Sequence, residues 1–338
     1  MNEVTTIGLD VAKHIFQVVG CDRQGQVVKR KVLRRGQVRG YFANIPACVV
    51  GIEACASAHF WARALHQLGH EVRLIPPQHV KAYVRGNKTD YHDARAIAEA
   101  VRRPDLRFVA VKTPAQQAVQ ALHRLRAARV QERTALCNQV RGLVAEHGLV
   151  LAQGVGTLRR HLPELVEAGP HGLSEDFRTL LQACAQQLRE LDAHIEGYTR
   201  LLAAHASRHE AVRRLQTVPG FGPVVASVFH AFVGTGGAFR RGRDVAAALG
   251  LVPKQHSSGG KTVRLGISKR GDRYLRSLLV HGARAVLRRA AHRDDRLSRW
   301  VTRLKETRGT HKATVALANK LARIGWAVAR TETQYRAA

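Results

Sequence analysis

Four acidic residues stand out in a chain that is otherwise strongly basic. Asp10 lies at the end of a β-branched run from Val4 to Val11, and Glu53 follows a second apolar run, Cys48 to Ile52. Asp90 and Asp93 lie in Thr89-Asp90-Tyr91-His92-Asp93-Ala94-Arg95, where Thr89 can cap a helix. Residues at i and i+3 share a helix face, so both aspartates can address one place. Carboxylates that end apolar strands are costly unless paired or metal-bound. Hard oxygen ligands from two strands and a helix suit Mg²⁺ or Mn²⁺. Two such ions, about 4 Å apart, would activate a nucleophile and stabilise the leaving oxygen in phosphodiester chemistry. Taken singly, Asp90 and Asp93 also read as ordinary first-turn acids.

Two further segments carry possible chemistry. Pro219-Gly220-Phe221-Gly222-Pro223 precedes the apolar Val224-Val225-Ala226, the arrangement of a helix-hairpin-helix module. Backbone N–H groups at Gly220 and Gly222 can hold a phosphate, although a plain helix–helix turn fits the same residues. His256-Ser257-Ser258-Gly259-Gly260-Lys261 reads, by itself, as a flexible turn. Both segments flank or lie within a basic tract. From Arg240 to Arg293, fourteen Lys or Arg face two acids, Asp244 and Asp272. So dense an excess beside glycines points to a phosphate-backbone surface, with Arg240, Arg241, Lys261, Arg264, Lys269, Arg270 and Arg273 as candidate contacts. His92, His256 and His281 stand apart and form no His-Glu-x-x-His set. No Gly-x-x-x-x-Gly-Lys-Ser loop suggests ATP dependence.

These residues need elements to position them. The 338 residues suffice for about two domains. Residues 1–104 read as α/β. Val4–Val11, His14–Cys21 and Gln26–Leu33 form an antiparallel meander, and Cys48–Ile52, a helix over 58–68 and Val72–Ile75 follow. Residues 105–209 read as long helices, starting at Pro114 and, after a connection over 152–172, at Ser174. In the second helix Phe177, Leu181, Cys184, Leu188, Leu191, Ile195, Tyr198 and Leu202 step by four and three, a coiled-coil seam that pairs with the first long helix and offers a dimer contact. Residues 210–338 read as mostly helical and basic, and the closing helix over 311–330 as core packing.

The overall balance excludes several classes. Lys and Arg number 55 against 25 Asp and Glu, a net charge of +30, which fits life against a polyanion. Only 5% of residues are aromatic, against a protein that works by stacking single-stranded bases. No apolar run reaches the ~18 residues that span a bilayer, and the N-terminus carries no signal-peptide pattern. The five cysteines form no Cys-x-x-Cys pair and read as small buried apolar residues in a reducing compartment.

The ordered acids carry a resemblance. Residues 1–104 resemble a RuvC-like, RNase H-fold nuclease domain. Nearly the whole chain is similar to the DEDD transposases of the insertion-sequence one-ten family, bridge-RNA-guided recombinases. The motifs are Ile7-Gly8-Leu9-Asp10-Val11-Ala12-Lys13, Gly51-Ile52-Glu53-Ala54 and Thr89-Asp90-Tyr91-His92-Asp93-Ala94, with Thr89 where serine is as common. The second half adds Val218–Pro223, Leu249-Gly250-Leu251-Val252-Pro253, Ser257–Lys261, Ile267-Ser268-Lys269-Arg270-Gly271-Asp272 and Leu275-Arg276. The resemblance implies that Asp10, Glu53, Asp90 and Asp93 hold two divalent metals. It implies that a serine of the Ser-Gly motif is the nucleophile; Ser258 matches best and Ser257 is the fallback. It further implies donor and target DNA as substrates and a guide RNA from the element. The seam and the exchange of four strands point to a dimer or tetramer, and the protein reads as cytoplasmic, bacterial and nucleoid-associated. A junction nuclease that uses water, and an architectural protein with an inactive nuclease domain, are the alternatives.

Overall fold

The computed structural model describes residues 3–87, 89–167 and 172–337. The chain divides into two compact units, Met1–Ala115 and Gln116–Ala338.

The first unit is built on strands β1 (Thr6–Val11), β2 (Ile15–Cys21) and β3 (Val27–Arg34), helix α1 (Val38–Ala43), β4 (Val49–Glu53), α2 (Ala58–His66), β5 (Glu71–Ile75), α3 (Pro77–Val80) and α4 (Asp90–Ala100). The strands form one sheet in the order β3-β2-β1-β4-β5. The expected meander is present: β1, β2 and β3 pair antiparallel, while β4 runs parallel to both β1 and β5. Side chains alternate across the sheet. Ile7 and Leu9 of β1, with Val50 and Ile52 of β4, enter one core with Trp61 and Leu65 of α2. Gly8 and Asp10 therefore point to the other face, as do Gly51 and Glu53.

That other face carries α4, and the two glycines fix how close it lies. Gly8 and Gly51 are partners in the parallel ladder. A Cβ on Gly8 would sit 2.0 Å from the Ala94 carbonyl oxygen and 2.5 Å from the Ala98 nitrogen. A Cβ on Gly51 would sit 2.8 Å from the Val101 side chain. The helix backbone thus rests directly on the strands, a contact that no side chain at these positions allows.

The second unit comprises α5 (Pro114–Ala145), α6 (Val155–Val166), α7 (Glu175–Arg208), α8 (Glu210–Gln216), α9 (Pro223–Val233), α10 (Gly242–Ala248), β6 (Pro253–Ser258), β7 (Lys261–Ile267), α11 (Arg273–Ala290), α12 (Arg296–Arg308) and α13 (Thr310–Thr331). Ser174 caps α7 as its sequence suggests, accepting a hydrogen bond from the Phe177 N–H at 3.3 Å. α5 and α7 run antiparallel: Arg126 donates to Thr199 at 2.8 Å and Arg133 to Asp192 at 2.9 Å.

One expectation needs correction here, and two gain detail. The stretch 152–172, read as a connection, contains α6. Its Leu158, Leu162 and Leu165 pack against Leu136 and Val140 of α5 and Leu181 and Leu188 of α7, each burial worth about 2 kcal/mol. The flanking glycines and internal Pro163 had masked that 4-3 spacing. The heptad seam of α7 faces the antiparallel α5, as expected, and α6 and α9 pack against it as well. Leu181, Leu188, Leu191, Ile195 and Leu202 are buried within this unit, among residues of α5, α6 and α9. Last, the mostly helical region 210–338 also contains the antiparallel ribbon β6–β7, which the alternation of Val263, Leu265 and Ile267 with Thr262, Arg264 and Gly266 could have signalled. The cysteines also divide: Cys21, Cys48 and Cys137 are buried, Cys184 is half-buried and Cys55 is exposed. No helix among the described residues is long and apolar enough to cross a membrane.

Candidate active site

The parallel register brings the first two acids to one edge of the sheet. Leu9 pairs with Ile52, so Asp10 and Glu53 each sit one residue further, at the same ends of β1 and β4 and on the face that carries α4. Helix α4 begins at Asp90. Thr89 caps it, accepting from the His92 N–H at 3.2 Å, as its hydroxyl suggested. Asp90 and Asp93 occupy the first turn, and Ala94 of the next rests on Gly8. The glycine contact therefore sets the depth at which these aspartates stand over the strand ends.

The electrostatics report the result. Asp10 is half-buried, and its carboxyl is pushed up to about 6, by burial first and then by the charges of Asp93, Asp90 and Glu53. The other three predicted acids thus each lie within electrostatic reach of Asp10. They are neighbours without forming a closed cage: among the described residues no three His, Cys, Asp or Glu meet as a ready metal site. The donor set nevertheless fits a hard divalent cation, being all oxygen, partly desolvated and mutually repulsive. His92, between two of the acids, is otherwise engaged: its Nδ1 lies 2.7 Å from the Asn87 carbonyl, to which it donates. Cys55 is a neighbour that sequence reasoning passed over. Its thiol, pushed up by burial and by Glu53 and Asp10, lies 3.8 Å from the Val11 carbonyl. Its place two residues beyond Glu53 was the only signal.

The predicted serine lies in the second unit, at the end of β6. Gly259 and Gly260, with φ of 53° and 76°, make a two-residue turn with both φ positive, and Ser258 pairs with Lys261 across it. The two serines differ. Ser257 Oγ accepts from the Gln255 amide at 2.7 Å and faces Thr262 Oγ1 at 3.5 Å. Ser258, on the opposite face of the ribbon, has no side-chain hydrogen-bond partner among the described residues. Lys261 and Arg264 extend along β7, both exposed.

The ribbon is anchored only at its root, where two of the quoted motifs meet. Ser268 N–H donates to the Val252 carbonyl at 2.8 Å and Lys269 N–H to that of Gly250 at 3.1 Å. A Cβ on Gly250 would fall 2.3 Å from the Arg270 oxygen, and one on Gly271 1.8 Å from the Ala248 oxygen. Arg276, not among the predicted contacts, donates to the Leu249 and Arg270 carbonyls at 3.0 and 2.9 Å. It clamps the crossing segments together. Lys269 and Arg270 lie in this crossing and Arg273 opens α11, while Arg240 and Arg241 precede α10, and all five are exposed.

The glycine turn joins α8 to α9 as a helix-hairpin-helix arrangement would. Gly220 adopts φ 78°, and its Cβ would meet the Gly282 carbonyl oxygen of α11 at 2.7 Å. Its small size thus serves helix packing, whereas Gly222 caps α9 with open space around it.

Comparisons with known proteins place this arrangement. A family model described as a DEDD transposase matches residues 7–148, spanning the four acids, and one described as "Transposase IS116/IS110/IS902 family" matches residues 212–298, spanning the turn and the ribbon. A probable family 20 transposase of Pseudomonas aeruginosa is 50% identical over 98% of this chain and 99% of its own length. The transposase for insertion sequence element IS1111A of Coxiella burnetii is 43% identical over 99% of this chain and 92% of its own. That for IS1328 of Yersinia enterocolitica is 40% identical over 99% of each. With a DEDD-type α/β sheet domain followed by a mostly helical basic region, the chain belongs to the IS116/IS110/IS902 family of insertion-sequence transposases, enzymes that cut and rejoin DNA.

Proposed function

We propose that strand exchange uses Ser258 as nucleophile and the four carboxylates as the metal-holding group. The observation that carries this reading is the contrast between the serines: the Ser257 hydroxyl is engaged within the ribbon, while that of Ser258 stands exposed at its tip, without a partner among the described residues. Asp10, Glu53, Asp90 and Asp93 would hold Mg²⁺ or Mn²⁺, which supplies Lewis-acid stabilisation of phosphoryl oxygens when bound. Ser258 Oγ attacks a DNA phosphorus and loses its proton. A bond from serine oxygen to phosphorus forms, and the bond from phosphorus to one sugar oxygen breaks, that oxygen leaving as a hydroxyl. A hydroxyl from a second DNA end then attacks the same phosphorus, restoring the phosphodiester and returning the proton to Ser258. The number of phosphodiester bonds is unchanged, so no external energy is needed. Lys261, Arg264, Lys269 and Arg270 neutralise charge on the phosphoryl oxygens, and Arg240, Arg241, Arg273 and the Gly220–Gly222 turn follow the backbone.

The choice of DNA falls to an RNA encoded by the element, paired with donor and target strands. A chain whose charge addresses backbones is suited to that division of labour, in which base pairing reads sequence. Exchange of four strands calls for a dimer or tetramer.

Incubation with nicked element-end DNA and Mg²⁺, followed by denaturing electrophoresis, tests the mechanism. Wild-type protein should yield an adduct that resists SDS, Ser257→Ala should retain it, and Ser258→Ala should lose both adduct and recombination. Retention of both by Ser258→Ala would overturn the assignment, and release of free 5′-phosphate ends without an adduct would favour hydrolysis.

A further inference from the structure

The place where α10 meets α13 holds a cavity of about 480 Å³, in the size range of small-ligand pockets. Arg241, Arg243, Lys320 and Arg323 line it together with Trp326, and no carboxylate appears among the described lining residues. Its walls are built rather than incidental. A Cβ on Gly242 would lie 3.1 Å from the Trp326 ring and 3.2 Å from the Arg323 carbonyl oxygen, so the start of α10 rests directly on α13. The Trp326 indole N–H donates to the Gly236 carbonyl at 3.0 Å, which fixes the ring as one wall. Lys320 is half-buried, its ammonium 4.4 Å from the centre of the Trp300 ring. Burial, and then Arg296 and Arg323, hold its pKa below the usual lysine range. Asp244, the nearest acid in sequence, accepts from the Arg241 backbone N–H at 3.1 Å and is not a lining residue.

Four like charges around one concavity repel each other, and the desolvation of Lys320 adds to the cost. Arg241, Arg243 and Arg323 are themselves exposed, so the desolvation falls on Lys320. An anion in the cavity removes both penalties, and an indole beside it offers a face to a base or sugar.

We propose that this cavity docks a phosphodiester unit of single-stranded nucleic acid, with the phosphate held by Arg241, Arg243, Lys320 and Arg323 and the adjoining nucleoside against Trp326. The volume suits one nucleotide with its phosphates, not the side of a duplex. Lys320, Arg323, Arg243 and Trp326 thereby join the nucleic-acid surface from α13 and α10. This does not depend on which groups cut DNA, so the test uses full-length protein carrying Ser258→Ala, and a failed cutting mechanism leaves it intact.

Fluorescence anisotropy with short labelled single-stranded RNA, single-stranded DNA and duplex DNA compares two charge-matched pairs. Lys320→Gln with Arg323→Gln should weaken single-strand binding roughly tenfold and lower the salt slope by about two, whereas Arg189→Gln with Arg200→Gln on α7 should change affinity about twofold or less. Loss for RNA alone assigns the cavity to the guide, loss for DNA alone to a displaced strand, and equal loss to backbone shared by both. Equal effects of the two pairs, or a loss confined to duplex, overturn the proposal. Should the first pair fail to fold, a second measurement on protein with intact Lys320 decides. Oligonucleotide should protect Lys320 from amine acylation, read by mass spectrometry, and an unchanged acylation rate overturns the proposal.

Discussion

Asp10 and Ser258 are held in opposite ways. Asp10 sits in a central strand, under a helix that two glycines allow to touch the sheet backbone. Ser258 sits on a ribbon in which every residue of β6 and all but the last of β7 are exposed. A lone two-stranded ribbon is marginal in water, so its place is set by the clamp at its root. Clustered carboxylates repel and must be forced together by packing, whereas a serine proposed to attack DNA gains from projection. The first unit therefore holds its chemistry at a cost in stability, and the second presents its serine at almost none.

The largest expected effect is that of Gly8→Ala. The added Cβ meets the backbone of α4, which cannot step aside as a side chain can, so the first unit should lose about 3 kcal/mol or more in chemical denaturation. A loss below about 1 kcal/mol would mean that α4 is not held by this contact.

Acid should separate the units next. His123 is buried in the second unit, its Nε2 3.0 Å from Ser227 Oγ and its Nδ1 3.1 Å from the Tyr274 hydroxyl. Burial, followed by the nearby Arg126 charge, pulls it down to about 4. The unfolded state then binds more protons as pH falls through 6.5 towards 4, and the second unit should lose about 2–3 kcal/mol across that window. His205 and His230, also lowered chiefly by burial, act in the same direction. Asp10 has the opposite sign. Its folded pKa lies above the unfolded value, so the native state binds more protons between about 4 and 6, and the first unit should gain stability as pH falls through 6. Unit-specific hydrogen exchange in EDTA would show the two slopes, and parallel slopes would sink the contrast.

Asp10→Asn sharpens the same point. It should abolish strand exchange yet stabilise the metal-free protein at pH 7 by about 1–2 kcal/mol, after allowance for solvent screening. Mg²⁺ should raise the Tm of wild type and not that of the variant. The smallest expected change in stability is that of Ser258→Ala, within about 0.5 kcal/mol in denaturant, because the side chain touches nothing that folding depends on.

Much of the first unit was legible. Alternating β-branched runs located the strands β1 to β5 within a residue or two, and the hydroxyl of Thr89 marked the start of α4. Glycine obscured other places. Gly154 and Gly156 made 155–166 look like a connection, although Leu158, Leu162 and Leu165 already carried the helical step. In β6 no apolar residue alternates, and the signals were the Gly259-Gly260 pair and the period of Val263, Leu265 and Ile267 in β7, set within a tract that otherwise reads as basic turn. The seam of α7 was visible as a stripe and its pairing with the first long helix is observed, but the stripe did not announce α6 and α9 as further neighbours.

Sequence alone determined which residues can do chemistry and which local element carries each, because strand and helix periods are written into neighbouring side chains. Only tertiary structure decided that Gly8 and Gly51 seat α4 over Asp10 and Glu53. It alone made Arg276 a clamp, left Ser258 rather than Ser257 unengaged, and set Lys320 and Arg323 beside Arg241 and Arg243. Each of these rests on contact between backbones or charges far apart along the chain, and such distances are fixed by packing, which no local pattern encodes.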